Sequence, residues 1–210
     1  MKCSFRISRR INKWSYSTMK MMYIVLILAI VAGCVQKNEN QPVQLSEEQV
    51  IARGKQLVSL GACHDCHTPK IFDETGMHLD ESRLLSGHPN GSKLPVIDER
   101  VFQPGHWTYF NEHFTAAVGM WGMTMSKNLT PHETGLKGWT PEVFIATMRS
   151  GKHMGIEHGR PIMPPMPWEN LRDLPDEDLI TIFKYLQSIK PIDNYVPEPM
   201  NPAQAMTFKY

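Results

Sequence analysis

Two cysteines and two histidines fall within five consecutive positions, Cys63-His64-Asp65-Cys66-His67, inside the stretch GACHDCHTPK. Paired thiols at this spacing beside an imidazole admit three chemistries: a zinc site, an exchange dithiol, or covalent attachment of a haem. A closed zinc site takes four tetrahedral protein ligands. Cys63, Cys66 and His67 supply three, and no second C-x-x-C or H-x-x-x-H pair follows downstream. A thioredoxin-like dithiol follows a strand and opens a helix, whereas here a helical pattern runs into the motif from its N-terminal side. Haem c uses every residue type present. Cysteines three apart let both sulfurs reach the two vinyl groups on one porphyrin edge, and His67 then falls beneath the iron as proximal ligand. The motif therefore predicts one covalent haem c on Cys63 and Cys66, with His67 on the iron. His64, between the cysteines, reads as a solvent-facing residue.

The helix entering the motif is legible in LSEEQVIARGKQLVSLGACHDCH. Ser46 is placed to cap it, Gln49 to complete a capping box, and Glu47 and Glu48 sit where the helix dipole favours acids. Val50, Ile51, Leu57 and Val58 give a partial apolar face, and Gly61 stops the helix before Cys63.

The first 34 residues differ from the rest. Lys2, Arg6, Arg9, Arg10, Lys13 and Lys20 face no acid, and the apolar run MMYIVLILAIVAGC then ends at Cys34. That run is shorter than the ~20 residues a bilayer span needs. Basic segment, short apolar core and small-residue exit read together as an export signal over 1–34. VAGC (31–34) resembles a lipobox, which makes Cys34 the expected lipid site and the membrane its anchor. Met19, Met21 and Met22 are further possible starts. Beyond residue 34 remain 16 Lys and Arg against 21 Asp and Glu, a net charge of −5. A mildly acidic surface of this kind argues against nucleic acid as a partner. With Cys3 in the signal and Cys34 lipidated, only Cys63 and Cys66 remain, in an exported chain facing the periplasm.

The opposite face of the iron decides between an electron carrier and a gas- or peroxide-binding site. Residues 159–179, GRPIMPPMPWENLRDLPDEDL, carry prolines at 161, 164, 165 and 167 that hold the stretch extended. Met163 and Met166 both qualify there as thioether ligands. A second methionine cluster, Met120, Met123 and Met125 around Trp121, reads as packing rather than Cu(I) binding. Most of the remaining histidines (78, 88, 106, 113, 132, 153 and 158) read as surface or loop residues.

Two more helices follow. GWTPEVFIATMRSGKH offers Thr140 as cap, Pro141 at the first position, Glu142 in the first turn and Gly151 as stop. LPDEDLITIFKYLQSIKP opens with Pro175, Asp176, Glu177 and Asp178, runs Leu179, Ile182, Phe183, Leu186 and Ile189 at helical spacing, and ends at Pro191. Residues 35–45 read as a flexible tether. Residues 68–127 read as an irregular insertion, with a short strand or helical turn possible in NEHFTAAVGMWG. Residues 193–210 read as a Pro-rich tail lying on the surface.

Helix, C-x-x-C-H, helix, Pro-rich Met loop and closing helix together resemble the class I cytochromes c. The stretch NLTPHETGLKGWTPEVFIATMRSGKH…RPIMPPMPWENLRDLPDEDLITIFKYLQSIKP is similar to cytochrome modules of bacterial alcohol dehydrogenase cytochrome subunits. The resemblance covers about residues 46–192 and implies a mainly α class I cytochrome c fold around one haem. It also implies that Met166, in the P-x-M-P-aromatic run of Pro164, Pro165, Met166, Pro167 and Trp168, is the second axial ligand. It further implies that Gly54 of the first helix faces Phe183 or Tyr185 of the last. The related subunits carry three haem modules and this chain one. The expected function is an exported, lipid-anchored, monohaem electron-transfer protein serving a dehydrogenase or oxidase, without catalysis of its own. A haem enzyme or gas sensor with an open or labile sixth site, and a subunit wired into a dehydrogenase or oxidase complex, are the alternatives.

Overall fold

The computed structural model describes residues 45–209, together with Lys20 and Met21. Apart from Lys20 and Met21, the expected export signal with Cys34, and residues 35–44 of the expected tether, lie outside the described residues. Leu45–Tyr210 forms one compact unit, and no helix among the described residues is long and apolar enough to cross a membrane.

Helix α1 (Glu47–Leu60) starts as its sequence dictates. The Ser46 hydroxyl accepts from Gln49 N–H, and the Gln49 side chain accepts from Ser46 N–H, so two otherwise orphaned donors are satisfied reciprocally. Gly61 ends it, donating to the Leu57 carbonyl at 2.8 Å. Helix α2 (Cys63–His67) follows after a reversal of two residues, in which Ala62 takes the left-handed conformation at φ 54°. Helix α3 (Pro141–Ser150) has Thr140 as its N-cap and Gly151, at φ 65°, as its stop. Helix α4 (Glu169–Arg172) is a single turn within 159–179, a stretch expected to be extended throughout. It forms beyond Pro167, where no proline interrupts it, and α5 (Asp176–Ser188) opens on three acids. Helix α5 ends before Lys190, so that lysine lies outside its last turn.

Helices α1 and α5 cross at Gly54. A Cβ there would run into the Thr181 carbonyl oxygen and come within 2.6 Å of Tyr185 Cβ. A mid-helix glycine costs ~1 kcal/mol against alanine, and the contact it permits here is backbone to backbone. Of the two aromatics expected opposite Gly54, the one in contact is Tyr185. Around this crossing Leu57, Val58, Phe144, Met148, Leu179, Ile182, Phe183 and Leu186 form the main core, joined by Leu85 and Leu136 from outside the helices.

Residues 68–127 are more regular than the sequence suggested. Strands β1 (Lys70–Asp73) and β2 (Gly76–Leu79) form an antiparallel hairpin, Lys70 opposite Leu79. Strands β3 (Tyr109–Phe110), β4 (Ala116–Gly119) and β5 (Gly122–Met125) form an antiparallel sheet in the order β3-β4-β5. The strands have two to four residues, too few for an alternating pattern to stand out.

The expected surface tail is packed in. Asn194 and Val196 are buried, Met200 exchanges two backbone hydrogen bonds with Met123 at 2.9 Å, and helix α6 (Pro202–Thr207) follows. Val196 and Ala205 close a second core with Ala116, Met123 and Met125. Insertion and tail thus bury each other. Met123 and Met125 pack as expected, while Met120 is exposed.

His88 lies in a loop but not at the surface. It is fully buried, with Nδ1 2.8 Å from Thr115 Oγ1. Burial, aided by the nearby His113 and Arg83, lowers it from the ordinary 6.5 to about 4. Between these values the unfolded chain binds a proton that the folded chain refuses. Stability is therefore full above pH 6.5 and declines as pH falls toward 4, by about 3 kcal/mol at most for a shift of this size. Urea unfolding at pH 7.5, 6 and 5 should register the decline, and His88→Gln should flatten it by up to one proton. Identical pH slopes in the two proteins would contradict this.

Candidate functional site

Helix α2 places the motif on one surface. At 3.6 residues per turn, Cys63, Cys66 and His67 fall within about 100° of arc. Both cysteines are free thiols and half-buried. Burial, with Asp65 adding to it, pushes Cys63 up to about 11 and Cys66 upward as well. Such thiols stay protonated at neutral pH, unlike the low-pKa thiol of an exchange dithiol. His64 is half-buried rather than solvent-facing, its Nδ1 2.9 Å from Thr68 Oγ1.

His67 is oriented from outside its helix. Its Nδ1 donates to the Lys127 carbonyl at 2.7 Å, which leaves Nε2 as the nitrogen free to bind a metal. Burial lowers its pKa, with the Lys127 hydrogen bond opposing. Gly87 makes the approach possible. Its N–H donates to the His67 carbonyl at 2.8 Å, and a Cβ at its φ of 82° would strike the Ser126 carbonyl and stand 2.6 Å from the Lys127 carbonyl carbon.

The C-terminal end of α2 is capped by a lysine. Lys70 is only 6% exposed, and its ammonium donates to the carbonyls of His64 at 3.1 Å, Asp65 at 2.9 Å and Thr68 at 2.5 Å. A cation at the negative end of a helix is electrostatically favoured, and all three protons have partners.

The methionine loop runs from α3 to α4. Ile162 N–H donates to the Gly151 carbonyl at 2.7 Å, and His153 N–H to the Arg160 carbonyl at 2.9 Å. The Trp168 indole lies on Gly151, where a Cβ would come within 2.7 Å of the ring edge. Between these anchors Met163 and Met166 flank one turn around the cis Pro164–Pro165 bond, with Met166 N–H 3.4 Å from the Met163 carbonyl. Both thioethers are half-buried. Leu171 of α4 reaches back to the motif: a Cβ at Gly61 would stand 3.7 Å from it and 3.6 Å from Cys63 Sγ. Cys63 and Leu171 pack against the same core. Arg149 holds α4 in place through the carbonyls of Arg172 and Leu174 and the Asp176 carboxylate.

The donor set fits a haem c. Two free thiols one turn apart suit thioether attachment, and an imidazole with its second nitrogen fixed suits iron. Among the described residues, no group of three or more His, Cys, Asp and Glu side chains converges as a metal ion would require. Gly87, Lys70 and Lys127 escaped sequence reasoning. All three act through backbone carbonyls, which a sequence pattern does not mark.

No protein-family model matches the chain. It is 32% identical over 149 residues, 70% of its length, to one of the subunits of nicotinate dehydrogenase from Pseudomonas putida, and spans 9% of that protein. The chain is thus distantly similar to a short part of a dehydrogenase component.

Replacing Lys70 by Met should leave the carbonyls of Asp65 and Thr68 without this donor, while that of His64 keeps the Thr68 N–H. A loss of about 2–3 kcal/mol is expected, lowering the melting temperature by about 5–10 °C. Lys70→Arg should fail to rescue it, because a planar guanidinium cannot follow three carbonyls around one point. An unchanged melting temperature in Lys70→Met would show the cap to be dispensable.

Proposed function

We propose that this chain is a monohaem c-type cytochrome of class I fold that carries single electrons. Cys63 and Cys66 hold the haem covalently, and His67 Nε2 and the Met166 thioether hold the iron. The observation that carries this reading is the His67–Lys127 hydrogen bond, which fixes an imidazole ligand on the same helical turn as two free thiols. The Gly54–Tyr185 crossing of first and last helix supports the class I fold. The haem supplies the reversible one-electron chemistry, and the chain supplies binding and orientation. The Lys127 carbonyl orients His67, Lys70 stiffens the turn beneath it, and Gly151 and Trp168 seat the loop that bears Met166. Ligand segments held this firmly leave little to rearrange when charge changes, which suits electron transfer over catalysis.

The same reading makes the chain exported to the bacterial cell envelope, facing the periplasm and held to a membrane by lipid on Cys34. The similarity to part of a nicotinate dehydrogenase favours a dehydrogenase as redox partner, and with it the alternative of a cytochrome subunit within such a complex.

Met166→Ala tests the ligand set. The ferric protein should show a thioether-to-iron band in the far red that Met166→Ala abolishes and Met163→Ala retains. The ferrous protein should resist carbon monoxide at neutral pH until Met166 is removed. A band that survives Met166→Ala would assign the ligand elsewhere. Full, rapid carbon monoxide binding by the unmutated protein would favour a sensor or enzyme with an open sixth site.

A further inference from the structure

The tail contributes a group that touches both the segment that orients His67 and the segment that leads to Met166. Glu198 Oε1 lies 2.6 Å from Lys127 Nζ, and its Oε2 lies 2.7 Å from Arg160 Nε and Nη2. Lys127 is the residue whose carbonyl orients His67. Arg160 is the residue from which the methionine loop departs, its carbonyl held by His153 N–H. Lys127 Nζ also donates to the carbonyls of Val196 and Pro197, both at 3.0 Å. The backbone on either side of Glu198 is anchored, because Val196 is buried and Met200 is paired with Met123, while the carboxylate itself is exposed.

We infer that Glu198 is a positioning residue for the axial ligands, one carboxylate tying the segment that orients His67 to the segment that delivers Met166. This rests on the His67/Met166 ligation proposed above. An isolated surface ion pair contributes ~0–1 kcal/mol, but here one anion bridges two cations whose backbones are each fixed by further hydrogen bonds. The free energy of the clamp appears where the two segments must move apart. That movement is displacement of the thioether by an external ligand.

Imidazole binding to the ferric holoprotein reads this directly. Glu198→Ala should bind imidazole about fivefold more tightly, equivalent to ~1 kcal/mol, with Glu198→Gln intermediate. Raising salt from 0.1 to 1 M should tighten binding in the unmutated protein by screening the clamp, and should do little in Glu198→Ala. Lys127→Met and Arg160→Met should each reproduce the gain, and the double variant should add little to either. Unchanged affinity in Glu198→Ala, or a gain in Glu198→Ala that keeps the full salt response, would overturn the inference. So would strictly additive effects of Lys127→Met and Arg160→Met. Failure of the underlying ligation looks different: the unmutated protein would then lack the far-red band, whatever stands at position 198.

Discussion

The approach of two helices at Gly54 governs where everything else can lie. Without a Cβ at that position, α1 meets the Thr181 backbone carbonyl and the root of the Tyr185 side chain on α5. The crossing fixes the end of α1, and α2 begins three residues beyond it. Leu171 and Leu174, from α4 and the link to α5, pack on the same core as Cys63. The motif and the end of the methionine loop therefore share a foundation.

On that foundation the non-helical segments do the orienting. Residues 68–127 and the tail build a second core together, and the strap of chain between Asn194 and Met200 ties them. Asn194 donates to the carbonyls of Ser86 and His88 at 2.7 and 2.8 Å, beside the glycine that lets Lys127 reach His67. An insertion that read as irregular thus supplies the carbonyl that sets the histidine's orientation.

The three long helices, α1, α3 and α5, were legible because their signals are local. Ser46 and Gln49, Thr140 and Pro141, and the acids from Asp176 to Asp178 act within a turn of their own residues, and each stands where expected. The motif is local in the same way, since five positions put both thiols and the imidazole on one helical turn. The strands were not, because two to four residues carry no period. Contacts between distant segments left no trace either: His67 meets Lys127 across 60 residues, and Lys127 meets Glu198 across 71. Gly54 lies between these extremes. Its mid-helix position was a signal, but choosing Tyr185 over Phe183 required the helix crossing itself.

Whether a porphyrin is bonded through both sulfurs is decided by the mass of the exported, denatured protein after acid–acetone extraction. The expected result is a chain heavier by one haem, its pigment retained on the peptide containing Cys63 and Cys66, neither of which alkylates. A colourless chain of unmodified mass, with both thiols open to alkylation, would contradict it.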